Sequence, residues 1–164
     1  MTVVPKIAIF VDGANVDISS RNSFAINYVL LKIFLAHGRN VAVANYYNSA
    51  PNDLAESSFY ARVNSAGFDL VCGPRKISGR GQKQIDVHIA VDMVSEAYEG
   101  TFDIAVLVSG DGDLKPAVER VKELGKEVEV ASFDNPNAKE FSWALKTSAT
   151  RTIDLTQNIQ KFRM

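Results

Sequence analysis

The hydrophobic positions of the chain fall into short continuous runs, separated by stretches in which they recur at helical spacing. The first run covers residues 6–11 and ends at Asp12-Gly13, a pair typical of turns. Continuous apolar runs are typical of strands buried on both faces, as in a parallel sheet. Similar runs predict further strands at 41–47, 68–72, 102–108 and 127–131, with a short edge strand at 151–155.

The segments between these runs carry helix signals such as capping residues and closing glycines. They predict helices over 24–37, from 51–53 to about Gly67, and over 85–99, 114–124 and 138–147. Strands that alternate with such helices predict right-handed βαβ units. The expected fold class is therefore α/β, with three layers: an open, mostly parallel sheet of about five strands in the order 3-2-1-4-5, and helices on both faces. A chain of 164 residues suits a single domain over residues 1–164.

Acidic residues follow two strands that this order makes neighbours. Asp12 ends strand 1, and Asp111 and Asp113 follow strand 4. Ligands of open α/β sheets bind where the carboxyl ends of such strands meet. Asp-Gly pairs are also common in turns, and Asp113 would suit a helix cap. Because clustered carboxylates repel and raise each other's pKa, acids at both strand ends favour a cation site.

A further carboxylate, Asp86, lies on the apolar face of the helix predicted at 85–99. A helical wheel places it with Ile89, Met93 and Ala97. An acid in the first turn would compensate the helix dipole, but that does not explain an inward direction. We therefore expect Asp86 to join the site, whereas Asp92 falls on the polar arc and is expected in solvent.

The predicted site suits a hard divalent cation. Its carboxylates are Asp12, Asp86, Asp111 and Asp113. All-oxygen ligation is typical of Mg²⁺ or Mn²⁺, which activate water and stabilise the transition state of phosphodiester cleavage. Asn15 and Ser109 are uncharged and close to the same strand ends. They are candidates to hold a bound water or a phosphate oxygen, or else they are turn and cap residues.

The segment 74–85 is basic and contains no acid. Its cationic side chains are Arg75, Lys76, Arg80 and Lys83. Either it is an ordinary solvated loop, or it contacts a phosphate backbone next to Asp86. Arg39, Tyr46 and Tyr47 are candidates to line the same side. The tyrosines are either available for base stacking or, since they lie at a strand end, at least one of them belongs to the core.

Composition narrows the function classes. The 18 basic and 19 acidic residues give a net charge of −1, which excludes a strongly basic nucleic-acid binder and leaves only a local patch. The single cysteine, Cys72, allows no intramolecular disulfide and is typical of a reducing compartment, so we expect a cytoplasmic protein. We expect neither a secretory leader nor a membrane span, because the longest apolar segment, 28–36, is too short.

Three motifs in order resemble the NYN domain family, in its LabA-like branch. They are the strings at 11–15 (VDGAN), 83–86 (KQID) and 108–113 (VSGDGD), and the segment 116–131 is also similar. The resemblance covers about residues 6–155. It implies a PIN-like fold and a metal-dependent endoribonuclease. By position it implies metal-binding acids at Asp12, Asp86, Asp111 and Asp113, ancillary Asn15 and Ser109, and a secondary candidate at Asp92.

The leading hypothesis is a cytoplasmic ribonuclease that depends on Mg²⁺ or Mn²⁺ and hydrolyses RNA phosphodiester bonds at the acidic crevice. Arg75, Arg80 and Lys83 would hold the RNA backbone. Two alternatives stay open: a non-catalytic RNA- or protein-binding module, and a phosphatase of small metabolites. An exposed surface is compatible with a homodimer, but no feature of the chain requires one.

Overall fold

The sheet is parallel throughout, and its centre is the first strand. A computed structural model describes residues 2–20, 25–74, 81–134 and 141–164, with no side chains described at 18–20 and 81–83. Within these residues, six strands form one sheet in the order β3-β2-β1-β4-β5-β6. The strands are β1 (Lys6–Asp12), β2 (Asn40–Ser49), β3 (Asp69–Gly73), β4 (Ile104–Val108), β5 (Glu127–Ser132) and β6 (Arg151–Asp154).

The predicted fold class and strand order are confirmed, and the expected edge strand is β6. In β1 the side chains of residues 7–11 are completely buried, as the continuous apolar run predicts. Val11 pairs with Tyr46 of β2 on one side and with Val108 of β4 on the other. The carboxyl ends of β1 and β4 are therefore adjacent. Thr152 of β6 pairs with β5 and extends the sheet by one strand.

Helices cover both faces of the sheet and complete the three layers. They are α1 (Gly13–Ser20), α2 (Tyr28–Ala36), α3 (Leu54–Ser65), α4 (Gly81–Glu99), α5 (Lys115–Glu123) and α6 (Trp143–Ser148). One core contains Leu31 of α2 and Val63 of α3. The other contains Met93 of α4, Val118 of α5 and Leu145 of α6. No helix in the described ranges is long and apolar enough to cross a membrane.

The turn expected at Asp12-Gly13 is in fact the beginning of a helix. The Asp12 carboxylate accepts a hydrogen bond from the Asn15 backbone N–H at 3.2 Å, so it caps α1. A Cβ atom on Gly13 would lie only 2.4 Å from Cζ of Tyr46. Glycine is needed here because α1 approaches the Tyr46 ring closely, and not because the chain reverses.

Other helix boundaries also differ from the predicted ones. Helix α4 begins at Gly81, so the end of the predicted loop is helical. Helix α2 begins at Tyr28, after Asn27, whose side chain accepts a hydrogen bond from the Leu30 backbone N–H. A single 3-10 turn at Gly112–Leu114 precedes α5. Of the helix predicted at 138–147, residues 138–140 lie outside the described residues, and the described helix ends at Ser148.

Candidate active site

Asp12 is a buried carboxylate held by two hydrogen bonds at the end of β1. Asp12 is 1% exposed to solvent. Oδ1 accepts from the Asn15 backbone N–H, and Oδ2 accepts from the Ser109 hydroxyl at 2.9 Å. Burial raises the pKa of Asp12 and the charge of Asp111 adds to the rise, whereas the hydrogen bonds oppose it. The carboxylate is therefore fixed in direction and poorly solvated.

The loop after β4 is tied to the end of β1 through Ser109 and Asn15. The Ser109 hydroxyl oxygen also accepts a hydrogen bond from the Asp111 backbone N–H at 3.2 Å. The Asn15 side-chain oxygen accepts from the Gly110 backbone N–H at 3.2 Å. The Asp113 backbone N–H in turn donates to Asp111 Oδ1 at 2.9 Å. Both uncharged candidates thus lie beside the acids and join the two strand ends.

Asp86 has one carboxylate oxygen without a partner. Because α4 begins at Gly81, Asp86 lies in the second turn of the helix rather than in the first. Its Oδ1 is buried and has no hydrogen-bond partner within the described structure. Burial, together with the charges of Asp12, Asp111 and Asp113, raises the pKa of the Asp86 carboxyl to about 7. The four carboxylates therefore act on one another electrostatically.

These acids do not form a closed ligand set. Among the described residues, no three His, Cys, Asp or Glu side chains converge as a group ready to hold a metal ion. Mg²⁺ requires only one or two protein carboxylates, since it keeps several waters. The unpartnered Asp86 Oδ1 and the mutually repelling charges are what a hard divalent cation would satisfy. The residues present therefore fit such a cation.

Most of the basic candidates lie outside the described residues. This is true of Arg75, Lys76 and Arg80. The backbone of Lys83 belongs to the first turn of α4, three residues before Asp86, but its side chain is outside the described part. The structure therefore places one basic residue on the helix that carries Asp86.

Arg39 does not line the site, contrary to expectation. Its guanidinium makes two hydrogen bonds to the buried Glu129 carboxylate, at 2.8 and 2.9 Å. Arg39 precedes β2 and Glu129 lies in the first half of β5, so the pair is close to the amino edge of the sheet. An arginine whose charge is already compensated in this way is not available to hold RNA.

Tyr46 and Tyr47 are also not available for base stacking, because both rings are buried in the core. The hydroxyl of Tyr47 donates a hydrogen bond to Asp92 Oδ2 at 2.8 Å. Asp92 is half-buried, so the expectation that it is solvated is wrong. The polar arc of the wheel is covered at this point by β2, which reaches α4 through the Tyr47 side chain.

The loop that carries Asp111 packs against Ser142, a residue that the sequence patterns did not predict at the site. The Ser142 backbone N–H donates to the Gly110 carbonyl at 3.0 Å. A Cβ atom on Gly112 would lie 2.6 Å from the Ser142 hydroxyl oxygen. A glycine between two acids was the available signal, since it permits a close approach. The beginning of α6 is therefore part of the wall of the site.

Comparisons with known proteins agree with the motifs. The family model of the NYN domain matches residues 6–156. An uncharacterized protein of Methanocaldococcus jannaschii is 26% identical over 155 residues, which are 94% of this chain and 57% of that protein. The chain thus spans little more than half the length of this relative.

A solved structure has the same architecture. It is the crystal structure of a protein of unknown function from Vibrio parahaemolyticus, with a TM-score of 0.83 and 26% sequence identity. The match covers 100% of both chains. The similarity therefore includes every element that builds the acidic site.

Proposed function

The chain belongs to the NYN domain family, within the PIN-like nuclease superfamily, and on this premise we propose that it is a ribonuclease that depends on Mg²⁺ or Mn²⁺. It hydrolyses RNA phosphodiester bonds in the acidic crevice at the carboxyl edge of the sheet. The observation that carries the proposal is the buried, unpartnered Oδ1 of Asp86, on a carboxyl group whose pKa is raised by burial and by the charges of Asp12, Asp111 and Asp113. The three motifs further favour the LabA-like branch.

The proposed cation is held by carboxylates from three different elements. They are Asp12, Asp86, Asp111 and Asp113, with Asp113 either ligating or orienting. When bound there, the cation would lower the pKa of a water molecule and offset charge on the phosphate. Asp12 contributes a carboxylate that is already oriented by two donors, so little freedom is lost on binding. Asp86 contributes the oxygen that has no other partner.

The uncharged residues position the site rather than react. The Ser109 hydroxyl donates to Asp12 Oδ2, and its oxygen holds the backbone of Asp111. Asn15 holds the backbone of Gly110 in the same way. These hydrogen bonds tie the loop after β4 to the end of β1. Arg75, Arg80 and Lys83 are proposed to hold the RNA backbone, since they precede Asp86 in a segment without acids.

Cleavage assays of the Asp12→Asn variant test this function. Purified protein is incubated with labelled single-stranded and hairpin RNAs in Mg²⁺, Mn²⁺ or EDTA. We expect cleavage only with the cations, and a loss of at least about 100-fold in Asp12→Asn, because an orienting contact alone is worth 10- to 100-fold. Asp69→Asn, which changes an exposed aspartate at the beginning of β3, should cleave like the wild type.

Three results would contradict the proposal in different ways. An unchanged rate in folded Asp12→Asn removes Asp12 from the site. A folded wild type that cleaves no RNA with either cation favours the binding module, which the net charge of −1 and the open ligand set also suit. A preference for phosphomonoesters over RNA identifies the phosphatase.

A further inference from the structure

Trp143 is an exposed indole at the first position of α6. It is 78% exposed, although tryptophan side chains are on average largely buried. It is also the single tryptophan of the chain. The ring is therefore open to contact by another molecule.

The backbone beside Trp143 is fixed to the acidic loop. The preceding residue, Ser142, donates its N–H to the Gly110 carbonyl at 3.0 Å, and Gly110 lies between Ser109 and Asp111. The Ser142 hydroxyl packs against Gly112 and accepts a hydrogen bond from the Ala144 N–H. The Cα atom of Trp143 is therefore about 3.8 Å from the Cα atom of Ser142, the residue that contacts the acidic loop.

The direction of α6 places Trp143 at the carboxyl edge of the sheet. Helix α6 begins beside Gly110 and ends before Thr150, whose N–H donates to Val128 near the beginning of β5. The helix thus runs from the edge that carries the acids towards the opposite edge. Trp143 is on the same edge as Asp12 and Asp111.

We propose that Trp143 is a stacking platform for an unpaired nucleobase that neighbours the scissile phosphate. This inference rests on the proposed function and specifies its substrate class as single-stranded RNA. A flat apolar ring next to a phosphate site suits a nucleotide, because stacking on an aromatic side chain is favourable for every base. Bases within an RNA duplex have no free face, so they are not available to the indole.

The alternative aromatic residues do not suit this role. Tyr46 and Tyr47 are buried, and their rings pack within the two cores. Tyr98 is 81% exposed, but it lies at the last turn of α4, at the other edge of the sheet from Asp86. Trp143 combines exposure with a place beside the acids, and Tyr98 offers a matched control.

Steady-state cleavage of an unpaired RNA strand is the first test. We expect Trp143→Ala to raise KM by about 5- to 100-fold with little change in kcat, as the loss of one base stack predicts. Trp143→Phe should recover most of the affinity, and Tyr98→Ala should match the wild type. Because both rings are exposed, circular dichroism should show native folding in all variants.

Tryptophan fluorescence, excited selectively over the five tyrosines, supplies an independent readout, since all tryptophan emission comes from Trp143. Binding of a labelled strand in EDTA is followed by anisotropy, and the emission of the protein is recorded in the same titration. We expect quenching by the unpaired strand, and weaker quenching by a strand with abasic sites or by a perfect duplex.

An unchanged KM in Trp143→Ala, or RNA that binds without altering the emission, overturns this inference and leaves the ribonuclease standing. If the wavelength of the emission maximum shifts with protein concentration in the absence of RNA, Trp143 is assigned to self-association, which also overturns the inference. A wild type that neither cleaves nor binds RNA overturns the inference and the proposed function together.

Discussion

Two carboxylates of the site, Asp12 and Asp86, differ in how their burial is compensated. Asp12 is the more buried, but its two oxygens accept hydrogen bonds from Asn15 and Ser109. Asp86 Oδ1 is buried without such a donor. An uncompensated polar atom costs free energy when the group ionises. Asp86 is therefore the residue at which protonation or a cation changes the stability of the fold most directly.

The free energy of unfolding should fall as the pH rises in cation-free buffer. The pKa of Asp86 is about 7 in the folded protein and about 3.9 in an unfolded chain. Its contribution to stability is fully present below pH 4 and is lost as the pH rises to 7, because the unfolded chain ionises first. Asp12, whose pKa is also raised, acts in the same direction.

Urea denaturation in EDTA at pH 5 and pH 8 measures this effect. We expect a lower free energy of unfolding at pH 8, and a smaller difference in Asp86→Asn, which cannot ionise. Some dependence should persist in the variant because Asp12 still titrates. If Asp86→Asn shows the same pH dependence as the wild type, Asp86 is not the group responsible.

At the scale of the elements, Arg39 connects helix α2 to strand β5. Its guanidinium donates to the carbonyl oxygens of Leu35 and Ala36, and so closes the end of α2. The same group makes two hydrogen bonds to Glu129 in β5. Arg151, on the edge strand β6, lies 3.7 Å from Glu129. Three elements are thus joined through one buried carboxylate.

Replacement of Arg39 should destabilise the fold without impairing RNA cleavage. Arg39→Met leaves the buried Glu129 with the more distant Arg151, so we expect a loss near the lower end of the 3–5 kcal/mol typical for breaking a buried ion pair. Chemical denaturation measures the loss, and Arg39→Met with Glu129→Gln should recover part of it. A variant as stable as the wild type would show that the pair contributes little. A specific loss of RNA affinity would instead restore Arg39 as a substrate contact.

Over the whole molecule, the two edges of the sheet differ in whether their charged side chains are compensated by ion pairs. The carboxyl edge carries Asp12, Asp86 and Asp111, and within the described residues none of these three carboxylates forms an ion pair with a basic side chain. The amino edge carries Arg39 and Glu129 as a pair. A bound divalent cation would remove the repulsion at the carboxyl edge and therefore stabilise the entire domain.

Thermal unfolding with Mn²⁺ tests this at the level of the whole domain. Free cation at 100 times its Kd stabilises a folded protein by about 2.7 kcal/mol, which corresponds to a rise of several degrees in Tm for a domain of this size. The rise should be greater at pH 8 than at pH 6, because protons compete for Asp86. Asp69→Asn should keep it and Asp86→Asn should lose most of it. Equal shifts in Asp86→Asn and the wild type would place the stabilising cation elsewhere.

The strand order and the placement of the acids were predictable from local pattern. Continuous apolar runs indicate strands buried on both faces. The helical segments between these runs leave few ways to connect the strands in a parallel sheet. Helix beginnings were harder to predict. Gly13 and Gly81 resemble turn residues locally, yet both begin helices. At Gly13 the decisive factor is the Tyr46 ring, which is distant in the sequence.

The apolar pattern of the chain was enough to show that Asp12 and Asp111 lie at the carboxyl ends of neighbouring strands, because the buried runs mark the strands and few connections between them are possible in a parallel sheet. Only the tertiary structure decided which side chains meet across elements. It paired Arg39 with Glu129, covered Asp92 with Tyr47, and set Ser142 and Trp143 beside the acidic loop. Periodicity specifies the face on which a residue lies. Its partner on that face depends on the packing of elements that are far apart in the chain.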